Sequence, residues 1–241
     1  MKRISLLTLL ITSTFSSFAQ SNFYKFSIGA GAGVTQSFTE VKKHDFGIAG
    51  YGTIDYLLTP FISIGLEAQK GQINSGDYRN LNDNRQSINS YMAGSINGKI
   101  ALGEFADYQR SGLARTLRGL YLGAGIGAIR NNITGIIRID NNKPDTEGEV
   151  PYRYPGENLS KEIYFPLNLG INFYFADRED FYRYVLNFNY QGNITLGEGL
   201  DGYDNTAETH KSGKPDIYTF FSVGLKYNFG KMGLSRKTFR R

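Results

Sequence analysis

What the sequence lacks excludes several classes of protein. It contains no cysteine and no tryptophan, and only six prolines and two histidines among 241 residues. Without cysteine the chain cannot be a disulfide scaffold or hold a metal through thiolates. After the N-terminal segment no stretch approaches 18 consecutive apolar residues, so no membrane-spanning helix is predicted. The net charge of +5, with no basic clustering on any strand, does not indicate nucleic-acid binding.

Residues 1–19 have the organisation of a secretory signal peptide. A basic start, Lys2 and Arg3, precedes an apolar run over residues 4–15 and a small-residue site that ends at Ala19. We expect cleavage after Ala19, which shortens the chain from 241 to 222 residues. No cysteine follows that site, so a lipoprotein anchor is excluded. If the exported protein is integral, it must be a closed barrel, because lipid cannot satisfy an open sheet edge.

The mature chain alternates apolar and polar residues with a period of two. Side chains on a strand point alternately to opposite faces, so each segment has one apolar face and one polar or small face. About ten such residues are enough for a tilted strand to cross a bilayer. The 29 glycines and the 34 tyrosines and phenylalanines suit a protein of this kind. Eight segments are predicted: 24–36, 46–57, 61–73, 90–102, 120–131, 163–175, 184–194 and 217–229.

The lengths of the connectors predict an orientation. With both termini in the periplasm, the long connectors 37–45, 74–89, 138–161 and 195–216 lie outside, as in outer-membrane barrels. Of the inner connectors, 103–119 is expected to carry a short helix over residues 106–118. Aromatic residues gather at the predicted periplasmic rim, where amphipathic rings are favoured. They are Tyr24, Phe26, Tyr56, Phe61, Phe175, Phe181, Tyr182, Tyr184, Tyr227 and Phe229.

The end of the last segment carries the sharpest motif. Ser222, Gly224, Tyr227 and Phe229 resemble the C-terminal signal by which the outer-membrane assembly machinery recognises β-barrel clients. With the eight segments, this motif gives the chain a resemblance to small OmpA/OmpX-type barrels, in particular the Bacteroidota branch. The resemblance implies an all-β, eight-stranded antiparallel up-and-down transmembrane barrel over residues 20–229. Ten strands are the alternative, if residues 133–140 pair independently.

Four charged residues are expected to face the lumen: Asp55, Glu67, Lys99 and Lys226. The interior of an eight-stranded barrel is just wide enough for side chains, and unpaired charge there is costly. We therefore interpret these residues as part of a plug of ion pairs and amides, with a gated ion path as the alternative. The glycines of the first and fifth segments leave room for Tyr51, Tyr121 and Tyr174. No strand-to-helix turn follows them, so a nucleotide site is not predicted.

No catalytic residue, metal site or cofactor is predicted. The two histidines, His44 and His210, fall in outer connectors, and no spacing assigns either of them a partner. The acidic residues of the third and fourth outer connectors lack the order of a calcium loop. Tyr152, Tyr154 and Tyr203 in the same connectors are candidate contact residues at the cell surface, and variable loops without a binding role are the alternative.

Residues 230–241 are predicted to form a basic periplasmic tail. The tail could contact an acidic partner subunit, lipid phosphates or the cell wall. Its basic residues are Lys231, Arg236, Lys237, Arg240 and Arg241. Our leading interpretation is a structural or interaction barrel that contacts outer-membrane lipid or lipopolysaccharide, and another envelope protein through its loops or tail. The alternatives are a narrow passive pore and a lipid-modifying enzyme.

Overall fold

The computed structural model describes residues 21–39, 45–76, 85–105, 108, 112–140, 152–197, 199–203, 215–235, 237 and 239. Several predicted features lie outside this set: the signal peptide at residues 1–19, both histidines, and the tail residues Arg236, Arg240 and Arg241. In the described part of the chain no helix is both long and apolar enough to cross a membrane.

Eight long antiparallel strands form one closed ring in the order β1-β10-β9-β8-β5-β4-β3-β2. The predicted eight-stranded barrel is confirmed. The ten-strand alternative is wrong, because β6 and β7 form a separate two-stranded ribbon. The strands are β1 (Ser21–Phe38), β2 (Phe46–Thr59), β3 (Ile62–Gly76), β4 (Gln86–Ala101), β5 (Leu120–Ile136), β6 (Ile139–Asp140), β7 (Tyr152–Arg153), β8 (Leu159–Ala176), β9 (Tyr182–Thr195) and β10 (Ile217–Ser235).

The strands are staggered around the ring. A row of directly paired residues that starts at Phe26 on β1 passes through every strand and returns to β1 at Gln36, ten residues further along. Such a stagger requires the strands to tilt against the barrel axis, and it sets the width of the interior. Rows of paired residues therefore climb diagonally around the barrel.

The alternation of side chains divides the barrel into an apolar outside and a polar inside. Large apolar residues are exposed along every strand of the ring, for example Ile48, Leu66, Met92 and Leu122. The side chains between them point inward and are mostly asparagine, glutamine, serine, threonine, tyrosine and glycine. An apolar outer belt over a polar interior is the pattern of a transmembrane barrel.

Several strands continue beyond their predicted ends on the side of the long connectors. β3 extends to Gly76, which pairs with Gln86 at the start of β4, and β5 continues to Ile136. The outward residues here include Gln72 and Asn132, so the alternation of apolar and polar residues is lost while backbone pairing continues. The predicted outer connectors are shortened accordingly.

The last strand is also longer than predicted, and the tail starts later. β10 continues past Phe229 to Ser235, and its end pairs with the start of β1, where Tyr24 lies opposite Met232. Gly230 allows this extension. The pairing of β10 with β1 is irregular at this point, and Gly230 adopts a φ of 86°, which few other residues tolerate. Lys231 is therefore an exposed strand residue rather than a tail residue.

The predicted aromatic rim divides into two groups. Six of the ten rings face outward as a girdle: Phe26, Tyr56, Phe175, Tyr184, Tyr227 and Phe229. The other four, Tyr24, Phe61, Phe181 and Tyr182, are buried. The type of residue could not predict which rings face outward and which are buried, because amphipathic rings are favourable both at a membrane interface and inside the end of the barrel.

The inner connector between β4 and β5 is partly helical. A short 3₁₀ turn, Leu102–Glu104, is followed by the helix α1, Gly112–Leu117, which is shorter than the predicted helix over 106–118. The connector brings Tyr108 and Arg118 to the end of the barrel that holds both chain termini, where both residues are buried.

We predict that Gly31→Ala destabilises the barrel by about 2 kcal/mol. A Cβ at Gly31 would meet the backbone of β10 and the ring of Tyr51. Gly52→Ala is the matched control on β2, because the nearest atom to its Cβ would be the Gly29 oxygen at 3.8 Å. The free energy of unfolding in urea, measured for barrels refolded in lipid vesicles, compares the two. Equal losses of stability would contradict the packing described here.

Candidate functional site

The inner half of the lumen contains two ion pairs built from the four predicted charges. Lys226 Nζ lies 2.6 Å from Asp55 Oδ2, and Lys99 Nζ lies 3.6 Å from Glu67 Oε2. All four side chains are almost completely removed from solvent. Each buried charge therefore has a partner of opposite sign, as the burial of ions requires.

The Asp55–Lys226 pair depends on two glycines. Its residues lie on β2 and β10, which are separated by β1. Gly29 on β1 leaves the path between them open, since a Cβ there would come within 2.7 Å of Lys226 Cγ. Gly65 on β3 makes the same kind of space beside the carboxylate of Asp55. The strand order was needed to see this pair, since the sequence indicated only Glu67 and Lys99 as neighbours.

Carboxamide hydrogen bonds cross the middle of the lumen. Gln69 Nε2 donates to Gln191 Oε1 at 2.6 Å and to Glu67 Oε1 at 2.7 Å. Gln191 Nε2 donates to Glu67 Oε1 at 3.0 Å and to Asn168 Oδ1 at 3.1 Å. β3 and β9 lie on opposite sides of the ring, so the Gln69–Gln191 bond spans the whole interior.

Tyrosine rings occupy the outer third of the lumen. Tyr91, Tyr164, Tyr218 and Phe220 are all fully buried there. Tyr91 on β4 and Tyr218 on β10 face each other across the ring, with centroids 5.5 Å apart. The hydroxyl of Tyr91 donates to Gln69 Oε1 at 3.1 Å, which connects this aromatic tier to the carboxamides below it.

A segment of the fourth outer connector closes the outer mouth. Leu200 is buried against the tyrosine tier. Its N–H donates to Asp216 Oδ2 at 3.1 Å, and its carbonyl accepts from Asn89 Nδ2 at 2.9 Å. These two hydrogen bonds hold Leu200 over the tyrosine tier, and the segment therefore covers the lumen.

Tyr203 attaches the same segment to two further strands. Its hydroxyl donates to the Ile137 carbonyl at 2.6 Å and accepts from the Gln86 N–H at 3.1 Å. Burial raises the pKa of Tyr203 to about 12, so the hydroxyl remains a donor at physiological pH. The expectation that Tyr203 is an exposed contact residue is wrong, because only 4% of its surface is exposed.

An aromatic box around Arg118 closes the mouth of the barrel at which the chain begins and ends. The guanidinium carbon lies 4.5 Å from the ring centroid of Tyr182, 5.5 Å from that of Tyr174 and 5.8 Å from that of Phe239. Phe239 belongs to the predicted solvated tail, yet it is only 2% exposed. Lys237 Nζ, in the same segment, donates to the Gly103 carbonyl at 3.0 Å. This end of the chain is thus packed into the barrel.

Four residues of the predicted assembly signal divide between the two faces of β10. Ser222 and Gly224 are buried in the lumen, while Tyr227 and Phe229 are outward neighbours with ring centroids 6.3 Å apart. Arg183 on β9 donates to the Tyr227 hydroxyl at 3.0 Å, which ties the outer aromatic girdle to the adjacent strand.

Other inward glycines fit particular side chains. Gly123 accommodates Lys99, and Gly127 accommodates Tyr164. Tyr51 does occupy the space at Gly31, but Tyr121 lies against Gly170 rather than against the glycines of β5. Within the described residues, no group of three His, Asp or Glu side chains converges as a metal site.

We predict strong coupling between Asp55 and Lys226. Asp55→Asn and Lys226→Gln should each reduce the free energy of unfolding by about 3 kcal/mol, because each leaves a buried charge without its partner. The double variant should lose less than the sum of the two. The Glu67–Lys99 pair is the control, and its coupling should be smaller, since its separation is 3.6 Å and Glu67 also accepts bonds from two glutamines. Additive losses at Asp55 and Lys226 would contradict the pairing.

Comparison with solved structures finds small bacterial outer-membrane β-barrels. No protein-family model matches the chain, and no curated protein matches it. Neisserial surface protein A aligns with a TM-score of 0.52 at 11% identity, covering 85% of this chain and 97% of that one. Ail of Yersinia pestis, in complex with the heparin analogue sucrose octasulfate, gives 0.43 at 9% identity, with coverages of 86% and 99%. The N-terminal barrel domain of Pseudomonas aeruginosa OprF gives 0.39 at 13%, with 86% and 98%. The chain therefore has the fold of the small eight-stranded outer-membrane β-barrels of the OmpA/OmpX type.

Proposed function

We propose that the protein is an integral outer-membrane barrel with both termini in the periplasm, and that it acts through its surfaces as a structural or protein-interaction barrel. In this proposal it is neither a conducting pore nor an enzyme. The basic residues Lys231 and Lys237 and the outer connectors are its candidate contacts with another envelope protein.

Closure of the lumen at three levels carries the proposal. Leu200 covers the outer mouth, the Gln69–Gln191 bond spans the middle, and Phe239 packs into the periplasmic mouth. A cavity of about 50 Å³ lies between the ion pairs and the aromatic box, and its walls include Lys226 and Tyr174. A polar space of this size suits a few water molecules rather than a substrate. A barrel filled in this way offers its loops, rim and outer wall for function.

The outer end presents an ordered surface for such contacts. The ring of Tyr154 meets that of Tyr203 edge to face, with centroids 5.8 Å apart. The guanidinium of Arg85 lies 5.7 Å from each of the two centroids. Tyrosine and arginine are enriched at the centres of protein interfaces, so Arg85 and Tyr154 form a suitable contact platform.

The predicted assembly signal would act before the ring closes, when the assembly machinery recognises the chain. The signal consists of Ser222, Gly224, Tyr227 and Phe229. In the folded barrel β10 is paired with β1 on one side and β9 on the other, so both of its edges are occupied. Recognition of its backbone would therefore precede ring closure.

We predict that the purified barrel does not conduct. In planar lipid bilayers it should give no single-channel steps above the baseline, because three layers of side chains fill the lumen. A general porin inserted in the same bilayers is the positive control. Regular steps of constant amplitude would contradict the closed lumen and favour the pore.

We predict that a stoichiometric partner copurifies from native outer membrane in mild detergent. Truncation after Ser235 removes the end of the chain but leaves the β1–β10 pairing, whereas truncation after Phe229 would break it. Arg85→Ala/Tyr154→Ala alters only the platform. Loss of the partner in the truncated form assigns the contact to the tail, and loss in the platform variant assigns it to the outer surface. A barrel without a partner in every form would contradict an interaction role.

A further inference from the structure

Three basic side chains lie close together on the outer wall of the barrel. Lys70 on β3, Arg130 on β5 and Lys161 on β8 are all exposed and point away from the lumen. They belong to one row of paired residues, in which Lys70 lies opposite Met92, Met92 opposite Arg130, and Arg130 opposite Lys161. The row covers three strand spacings, or about 14 Å.

The charge of this wall is of one sign. Among the described residues of the eight barrel strands, the acidic side chains are Asp55, Glu67 and Glu162, and all three point toward the interior. The three basic residues stand where the outward apolar face gives way to polar residues such as Gln72 and Asn132. They therefore mark the boundary between hydrocarbon and headgroups on the side of the long connectors.

An apolar groove of about 760 Å³ runs directly beneath the basic row. Gly52, Ala68 and Gly94 form its floor, and larger side chains such as Leu66 and Ile96 border it on the periplasmic side. Ala68 and Gly94 each lie two residues closer to the periplasm than Lys70 and Met92 on the same strands. The floor of the groove therefore runs parallel to the basic row, two residues below it on each strand.

The packing of the barrel itself does not require this bare floor. A Cβ at Gly52 would have the Gly29 oxygen 3.8 Å away as its nearest atom, and a Cβ at Gly94 would have the Glu67 oxygen at 4.0 Å. Both are ordinary contacts, whereas inward glycines such as Gly31 would collide with backbone atoms. The outward glycines keep open a space that the protein does not fill.

We propose that the groove and the row Lys70–Arg130–Lys161 bind a phosphorylated glycolipid of the outer leaflet, with an acyl chain in the groove and phosphates on the basic side chains. The chemistry fits both parts, because the groove is apolar and guanidinium and ammonium groups are the usual partners of phosphate. This inference rests on the proposed outer-membrane orientation, since that orientation places the basic row in the outer leaflet.

The width of the row favours a headgroup with two phosphates. One phosphate can contact Arg130 and Lys161, which are direct neighbours, but Lys70 lies two strand spacings from Arg130, or about 10 Å. A disaccharide headgroup that carries a phosphate at each end reaches all three residues. A glycerophospholipid with its single phosphate does not.

Native mass spectrometry of the folded, detergent-solubilised barrel tests the proposal, with bisphosphorylated lipid A as the probe. Dephosphorylated lipid A and dioleoyl phosphatidylglycerol are the comparison lipids. We expect lipid A to bind about tenfold more tightly than either of them, since each basic residue near a membrane surface contributes roughly fivefold to binding of anionic lipid. Equal binding of phosphatidylglycerol would overturn the assignment to a glycolipid, and equal binding of the dephosphorylated form would overturn the role of the basic row.

Two sets of variants separate the headgroup from the chain. Lys70→Gln/Arg130→Gln/Lys161→Gln should remove the preference for phosphorylated lipid, while Lys70→Arg/Lys161→Arg should retain it. Gly52→Val/Gly94→Val fills the groove and should weaken lipid A binding at least fivefold. Gly98→Val is the matched control, because it is also exposed and its Cβ would lie 4.0 Å from the Ala124 oxygen, but it lies outside the groove. Folding of each variant is verified by heat-dependent gel mobility. If Gly52→Val/Gly94→Val does not fold, Gly94→Ala replaces it as the variant that narrows the groove.

Unchanged lipid A binding by the filled groove would overturn the proposal. A dimer that dissociates in Gly52→Val/Gly94→Val, without any change in lipid binding, would also overturn it and assign the groove to a second copy of the chain. Neither result touches the interaction role, since copurification of a partner is measured separately and depends on the outer platform or the end of the chain.

Discussion

Closure of β1 onto β10 is the constraint on which the rest of the structure depends. A bilayer offers no water to an unpaired strand edge, so the sheet must close and every backbone group must find its partner within the ring. With eight strands and a stagger of ten residues, closure leaves an interior only wide enough for side chains. The inward side chains must therefore fill the interior together and form hydrogen bonds with one another, because neither lipid nor bulk water provides these contacts.

Part of the interior meets this requirement by combining carboxamides, tyrosines and glycines, whereas the buried side chain of Asn193 makes no hydrogen bond within the described part of the chain. A carboxamide both donates and accepts, so Gln69 and Gln191 can join opposite walls and still hold the carboxylate of Glu67. Glycines provide the space that longer side chains need, as Gly29 does where Lys226 reaches Asp55 over an intervening strand. Gly29 is thus paired with a particular charged residue rather than with flexibility of the strand.

The two mouths of the barrel are closed by different means. At the mouth beside the long connectors a connector folds inward and Leu200 covers the tyrosine tier, while at the mouth beside the chain ends Phe239 packs beside Arg118 and Tyr182. The outer wall is uneven as well, since one part of it carries a groove with basic residues above it. A plugged barrel of this form supports the proposed role in contacts with lipids and proteins.

The sequence by itself determined the class of fold and the face of each strand that Asp55, Glu67, Lys99 and Lys226 occupy, because the alternation of side chains along a strand is a local property. The choice of eight strands over ten required the structure. Only the tertiary structure decided which side chains meet, since partners such as Asp55 and Lys226 are brought together by strand order and stagger. It also decided that β10 continues to Ser235, that Phe239 is buried, and that Phe61 and Tyr182 pack inside the end of the barrel while Tyr227 faces outward. These outcomes depend on ring closure, which no single stretch of sequence contains.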